Sequence, residues 1–178
     1  MTQNICEAFA SPALPLPPHH SLKEIYRQKK SKFNYLFGAL NQQLVDVMRV
    51  MEEEGLVDSR FRMVYSLKEA NGPFFIAELI PTFCNDAQTT IRQMTQTLEL
   101  PVMNFHEMEE LCMKIKGGTS CIGAHQMALA CGDLRQAIDD KSKERCIVAV
   151  DALRHEYLKL QTKMDVLLQL ERRIISHN

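Results

Sequence analysis

Apolar residues recur every three or four positions over most of this chain, and nowhere do they alternate with polar ones as a half-buried strand requires. Leu40, Leu44, Val47, Met48 and Met51 fall on one face of a helix expected from about Leu40 to Glu54, with Gly55 placed to end it. Asp58 or Ser59 can cap a short second helix that turns Phe61, Val64 and Tyr65 inward. Asn71-Gly72 breaks that helix, and Pro73 suits the first turn of a third, Phe74 to about Leu98, striped by Phe75, Leu79, Phe83, Ala87 and Ile91. Pro81 lies well inside this stretch, where it removes the bond to the Ala77 carbonyl, and a kinked axis is the expectation. Pro101 stops the chain again, and Asn104 with Glu107 has the spacing of a capping pair for a fourth helix through Leu111, Met113 and Ile115. Another amphipathic segment ends near Ile138. The longest helix, about Lys141 to Ile175, carries Val150, Leu153, Tyr157, Leu160, Met164 and Leu167 as a packing seam. The pattern predicts an all-α fold: an antiparallel four-helix bundle with one or two short extra N-terminal helices.

Residues 1–35 stand apart from this pattern. FASPALPLPPHH cannot hold a regular helix or central strand, because proline removes amide donors and fixes the backbone; a short helix around Leu22–Lys32 follows it. The expected organisation is a Pro-rich, then basic extension over 1–35 and the bundle over 36–178. Hydrophobic residues at 46% and charged residues at 24% are the balance of an ordinary globular domain. No apolar run approaches the roughly 20 residues of a spanning helix. Glu7 precedes any basic residue and prolines cut the N-terminal apolar run, so the start does not read as a secretory signal and the reading is intracellular. Net charge is −1, which gives no global electrostatic case for nucleic acid. The sign is uneven: Lys23, Arg27, Lys29, Lys30 and Lys32 face only Glu7 and Glu24 in the first 37 residues, a cluster that reads as a solvated tail or as a binding site. Cys6, Cys84, Cys112, Cys121, Cys131 and Cys146 form no Cys-x-x-Cys pair and have no spacing suited to zinc, so they read as small buried hydrophobes. His19 and His20 lack a third ligand nearby. No metal and no cofactor is expected.

There is no P-loop, no His-Glu-x-x-His and no Gly-x-Ser-x-Gly. The KGGTS stretch lacks the spacing of a nucleotide loop. One reading ends a helix at Gly117 and caps the next with Thr119 or Ser120. Another keeps the stretch helical, which places Met113, Lys116, Gly117, Ser120 and Ala124 on one face at a cost of about 1 kcal/mol for each of Gly117, Gly118 and Gly123. Such a cost asks for a reason, and close approach by another molecule's backbone is one. Spacing alone favours the loop.

The segment LCMKIKGGTSCIGA resembles the signature of plant histidine-containing phosphotransfer proteins, which runs His-Gln-Leu-Lys-Gly-Ser-Ser, then a hydroxyl-rich stretch and Gly-Ala. Glu53–Phe61, Pro73–Phe75, Asn104-Phe105, HEYLKL and LLQLERRI resemble family positions in the same order, so the likeness spans about Leu36 to Ile175. It implies a four-helix bundle in which the KGGTS stretch is helical. Aligned on Lys116-Gly117 and Gly123-Ala124, Met113 stands where the family has its phosphoaccepting histidine. Lys114 replaces glutamine and Gly118 replaces the first serine. A neutral imidazole nitrogen can attack an aspartyl-phosphate; a thioether offers no nitrogen and no proton to lose.

The resemblance therefore implies a non-catalytic, pseudo-phosphotransfer protein whose docking face remains: Met113, Lys114, Lys116, Gly117, Gly118 and Ser120. Its implied partners are receiver domains of hybrid sensor histidine kinases and response regulators, and its implied role is to hold back cytokinin phosphorelay as a monomer in cytoplasm and nucleus, without nucleic acid or membrane. The competing reading is an active carrier that uses another histidine. His106, seven residues before Met113, shares its face two turns away but is followed by no Lys-Gly pair; it otherwise reads as a surface residue. His125 is expected at the bundle edge and His155 in a structural segment. A further reading is a scaffold bundle with another partner, and Met113 could also simply turn into the core.

Overall fold

The computed structural model describes residues 19–176, with side chains from Leu22 onward. The Pro-rich stretch, Cys6, His19 and His20 therefore lie outside the described side chains. Among the described residues seven helices follow one another: α1 (His19–Glu53), α2 (Ser59–Ser66), α3 (Lys68–Asn71), α4 (Phe75–Glu99), α5 (Phe105–Ile122), α6 (His125–Asp139) and α7 (Lys143–Ser176). The chain divides into two units between Leu36 and Phe37.

In the second unit, α4 touches α5, α5 touches α6, α6 touches α7, and α7 returns to α4, closing a four-membered ring. The connections are residues 100–104, 123–124 and 140–142, short enough to make consecutive helices antiparallel neighbours. This is the bundle that the hydrophobic pattern predicts. Its core is rich in methionine: Met51, Met94, Met108 and Met164 are fully buried, alongside Leu134, Leu153, Leu160 and Leu167. Methionine's unbranched stem suits the irregular gaps between helices.

Local chemistry sets the ends of the helices. Gly55 (φ +69°) closes α1 as expected, with its amide on the Glu52 carbonyl and the Leu56 amide on the Met51 carbonyl. Asp58, not Ser59, caps α2, accepting from the Arg60 amide at 2.9 Å. Phe61 is buried there, while Val64 and Tyr65 are only half-buried. Pro73 falls before the cap residue Phe74 and so outside the first turn of α4. α4 runs unbroken through Pro81; of the expected stripe Phe83, Ala87 and Ile91 are buried but Phe75 and Leu79 only half-buried, and Ile76, Ile80, Cys84 and Met94 join the buried face. α7 begins two residues later than the pattern suggests, because Lys141 takes a left-handed φ of 53° and the Ser142 hydroxyl accepts from the Arg145 amide at the helix start.

The segment before α2 is stitched to the turn between α5 and α6. The Asp58 amide donates to the Gly123 carbonyl at 2.9 Å, and the His125 amide donates to the Leu56 carbonyl at 3.0 Å. On the other side, the fully buried carboxylate of Glu171 in α7 takes the Lys68 ammonium at 2.5 Å and the Tyr65 hydroxyl. Burial, reinforced by that carboxylate, pushes the Tyr65 phenol above its ordinary pKa.

Candidate functional site

α5 opens on Asn104, whose side-chain oxygen accepts from the amides of His106 at 3.1 Å and Glu107 at 3.2 Å, as the capping spacing predicts. From there the helix continues through Gly117 and Gly118 to Ile122, so the loop favoured by spacing alone is replaced by helix. The reason is burial. Met108, Cys112, Ile115, Thr119 and Ile122 line its inner face, and each large apolar side chain buried is worth about 1.5–3 kcal/mol, against about 1 kcal/mol per helical glycine. Gly123 does not belong to the helix interior. It ends α5 at φ +76°, where an added Cβ would stand 2.7 Å from Asp58 Oδ1 and 2.8 Å from the Phe61 amide nitrogen.

The outer face of α5 carries Met113, Lys116 and Gly117 in the open and Ser120 half-buried. Met113 is 55% exposed, which disposes of the reading that turns it into the core. A Cβ built on Gly117 meets nothing within 4 Å, so no internal contact requires glycine at that position. Thr119, offered as a cap by the loop reading, and Ala124, expected on this face, are elsewhere. Thr119 is fully buried with its hydroxyl donating to the Lys116 carbonyl at 2.9 Å, and Ala124 is buried at the cap of α6. Among the described residues neither Lys114 nor Lys116 joins an ion pair, so both leave a positive charge available on this helix.

Lys114 and Gly118 lie to one side, over a groove between α4 and α5 that sequence reasoning does not reveal. It encloses about 270 Å³ between Val64, Leu79, Phe83, Ala87, Ile115 and Ile122, with Lys114, Asp86, Gly118 and Cys121 also lining it. Gly118 rests on the Phe83 ring, 4.0 Å from its ideal Cβ. The groove is invisible in the sequence because its walls look like ordinary core stripes. Cys121 is exposed here, unlike Cys84, Cys112, Cys131 and Cys146, which are buried as expected of small hydrophobes. Burial pushes the Cys84 thiol up to about 11 and the Cys131 thiol up to about 12.

The histidines are dispersed. His106 is 80% exposed in the first turn of α5, with Nε2 3.5 Å from the Glu110 carboxylate. His125 is half-buried at the start of α6, and His155 is exposed on α7. Among the described residues no three His, Cys, Asp or Glu side chains gather as a metal site.

The Hpt domain family matches residues 78–163, from the first turn of α4 into α7 and therefore across the whole α5 face. Histidine-containing phosphotransfer protein 2 of rice is 33% identical over 142 residues, covering 79% of this chain and 95% of that protein. The crystal structure of a histidine-containing phosphotransfer protein from maize superposes with a TM-score of 0.72 at 33% identity, covering 76% of this chain and 99% of the maize chain. A relative named pseudo histidine-containing phosphotransfer protein 2, also from rice, is 22% identical over 138 residues, covering 78% of this chain and 91% of its own. The ring of α4 to α7, the helical Lys116-Gly117 face and these likenesses agree: the chain belongs to the histidine-containing phosphotransfer protein family.

Proposed function

We propose that this protein is a pseudo-phosphotransfer protein, which docks on receiver domains and occupies them without carrying phosphate. The observation behind this reading is Met113. It projects from the middle of the exposed α5 face, one turn before Gly117, and the resemblance on Lys116-Gly117 and Gly123-Ala124 aligns it with the family's phosphoaccepting histidine. In phosphoryl relay the imidazole nitrogen forms a bond to phosphorus as the aspartate oxygen leaves. A thioether that attacked would become a sulfonium with no proton to release, so the phosphoryl group has nowhere stable to rest on Met113. What remains is the docking apparatus: Lys116 for charge, Gly117 for close approach, and the apolar groove beneath Lys114 and Gly118. The likeness to a relative that bears the pseudo name supports the reading.

On this reading the partners are receiver domains of hybrid sensor histidine kinases and of response regulators. The consequence is competition with active carriers, and so a damping of cytokinin signalling by a monomer present in cytoplasm and nucleus. The test is a titration of a purified receiver domain. Wild-type protein binds it, and Gly117→Leu, which puts a large side chain on an open helix face, loses that binding while keeping its helical circular dichroism. Unchanged affinity in Gly117→Leu would place the contact elsewhere and overturn this docking face.

A further inference from the structure

The first unit carries a surface that the phosphotransfer reading does not use. Between Leu22 and Leu36 every residue of α1 is exposed, including Leu22 and Ile25 at 43% and Tyr26 at 80%. At 3.6 residues per turn, Leu22, Ile25, Tyr26, Phe33 and Leu36 fall within an arc of about 100°. Lys32 borders one edge of that arc, and Lys30 and Lys23 border the other. Lys29 falls inside it. The only acid of the segment, Glu24, lies on the far side of the helix.

The charge placement discriminates among occupants. A second copy of the same stripe would bring two sets of lysines together, at a Coulomb cost. A flat anionic surface accommodates all of them at once: the apolar arc enters the headgroup boundary, lysines on both margins meet the anionic groups, and Lys29 lays its aliphatic stem along the arc while its ammonium reaches outward. No described helix is long and apolar enough to cross a membrane, so the contact is with the surface only. We propose that the 22–36 segment of α1 is an interfacial helix that binds anionic lipid bilayers, through Leu22, Ile25, Tyr26 and Leu36 flanked by Lys23, Lys30 and Lys32.

The chain contains no tryptophan, so Leu22→Trp gives a unique reporter at the edge of the proposed contact. The full chain is mixed with vesicles of phosphatidylcholine alone or of phosphatidylcholine with phosphatidylserine. The expected result is sedimentation with the phosphatidylserine vesicles only, reversal by salt, and a blue shift of the tryptophan emission of Leu22→Trp on binding. Lys30→Gln with Lys32→Gln is expected to weaken binding by more than about tenfold, and Leu22→Ser with Ile25→Ser to abolish it. All these positions are exposed, so unchanged circular dichroism is expected and separates lost binding from lost folding. Absence of binding, binding equally to both vesicles, or binding without a shift in emission would overturn the proposal. So would a dimer that Ile25→Ser dissolves, since the stripe would then belong to a second copy.

Discussion

Gly117 and Gly123 sit close together in one motif, yet opposite physics holds them there. Gly117 is an exposed helix-interior residue with nothing within 4 Å of its ideal Cβ, so alanine at that position is expected to raise stability by up to about 1 kcal/mol. Gly123 has φ +76° with the Phe61 amide nitrogen 2.8 Å from an added Cβ. Gly123→Ala is expected to lower stability by more than about 1–2 kcal/mol, the left-handed penalty alone, and to loosen the Asp58–Gly123 hydrogen bond. Urea midpoints of the two variants check the pair. A loss in Gly117→Ala would mean that the folded protein itself needs that glycine, removing the argument that a docking partner does. Met113 shows the same contrast within one residue type: the methionines of the core are covered, and this one is open to solvent.

At the scale of elements, the close of α1 and the cap of α5 are legible because their causes are local, whereas the start of α1 is not: one helix runs from His19 where a short helix around Leu22–Lys32 and a second from about Leu40 are expected. Asn104 and Gly55 act on amides and carbonyls a few residues away, and a sequence displays that spacing directly. The helical state of the Gly117-Gly118 stretch was not legible from spacing. Two glycines argue locally for a break, and the burial of Ile115, Thr119 and Ile122 that outweighs them depends on helices distant in sequence; only family resemblance pointed to it. Nor was the anchor of α2 and α3 legible. Lys68 and Glu171 are 103 residues apart, and nothing in the surroundings of Glu171 in the sequence marks it as fully buried. That anchor makes a strong prediction. Lys68→Met leaves the buried carboxylate without its cation and is expected to cost about 3 kcal/mol, whereas Lys68→Met combined with Glu171→Leu recovers most of the loss. Thermal unfolding of the single and double variants decides it; equal losses in both would mean that the charge pair is not what holds α2 and α3 against α7.

For the whole molecule, the buried thiols and phenol of the core are expected to lower stability at alkaline pH. Cys84, Cys131 and Tyr157 are pushed up to about 11, 12 and 12, while in the unfolded chain the thiols ionise near 9 and the phenol near 10. Above pH 9 the unfolded state therefore holds fewer protons than the folded one, and stability is expected to fall from there through pH 11–12 while remaining level just below 9. Denaturant unfolding across that range reads the slope, and a flat profile would mean that the thiols are not shielded. The two units also separate in their contributions. Residues 22–36 are exposed throughout, so a chain beginning at Asn34 is expected to keep its melting temperature and its affinity for receivers while losing vesicle binding. The central claim concerns the acceptor, and phosphate transfer addresses it most directly. Receivers supply the metal and most of the electrostatic stabilisation in such a transfer, so the carrier needs little beyond a nucleophile in line. Incubated with a receiver carrying labelled aspartyl-phosphate, wild-type protein is expected to take no label, and Met113→His to take up acid-labile phosphate, slowly because Lys114 and Gly118 still differ from the family motif. His106→Ala is expected to change neither outcome; label on the wild-type protein that vanishes with His106→Ala would contradict the account and make this chain an active carrier.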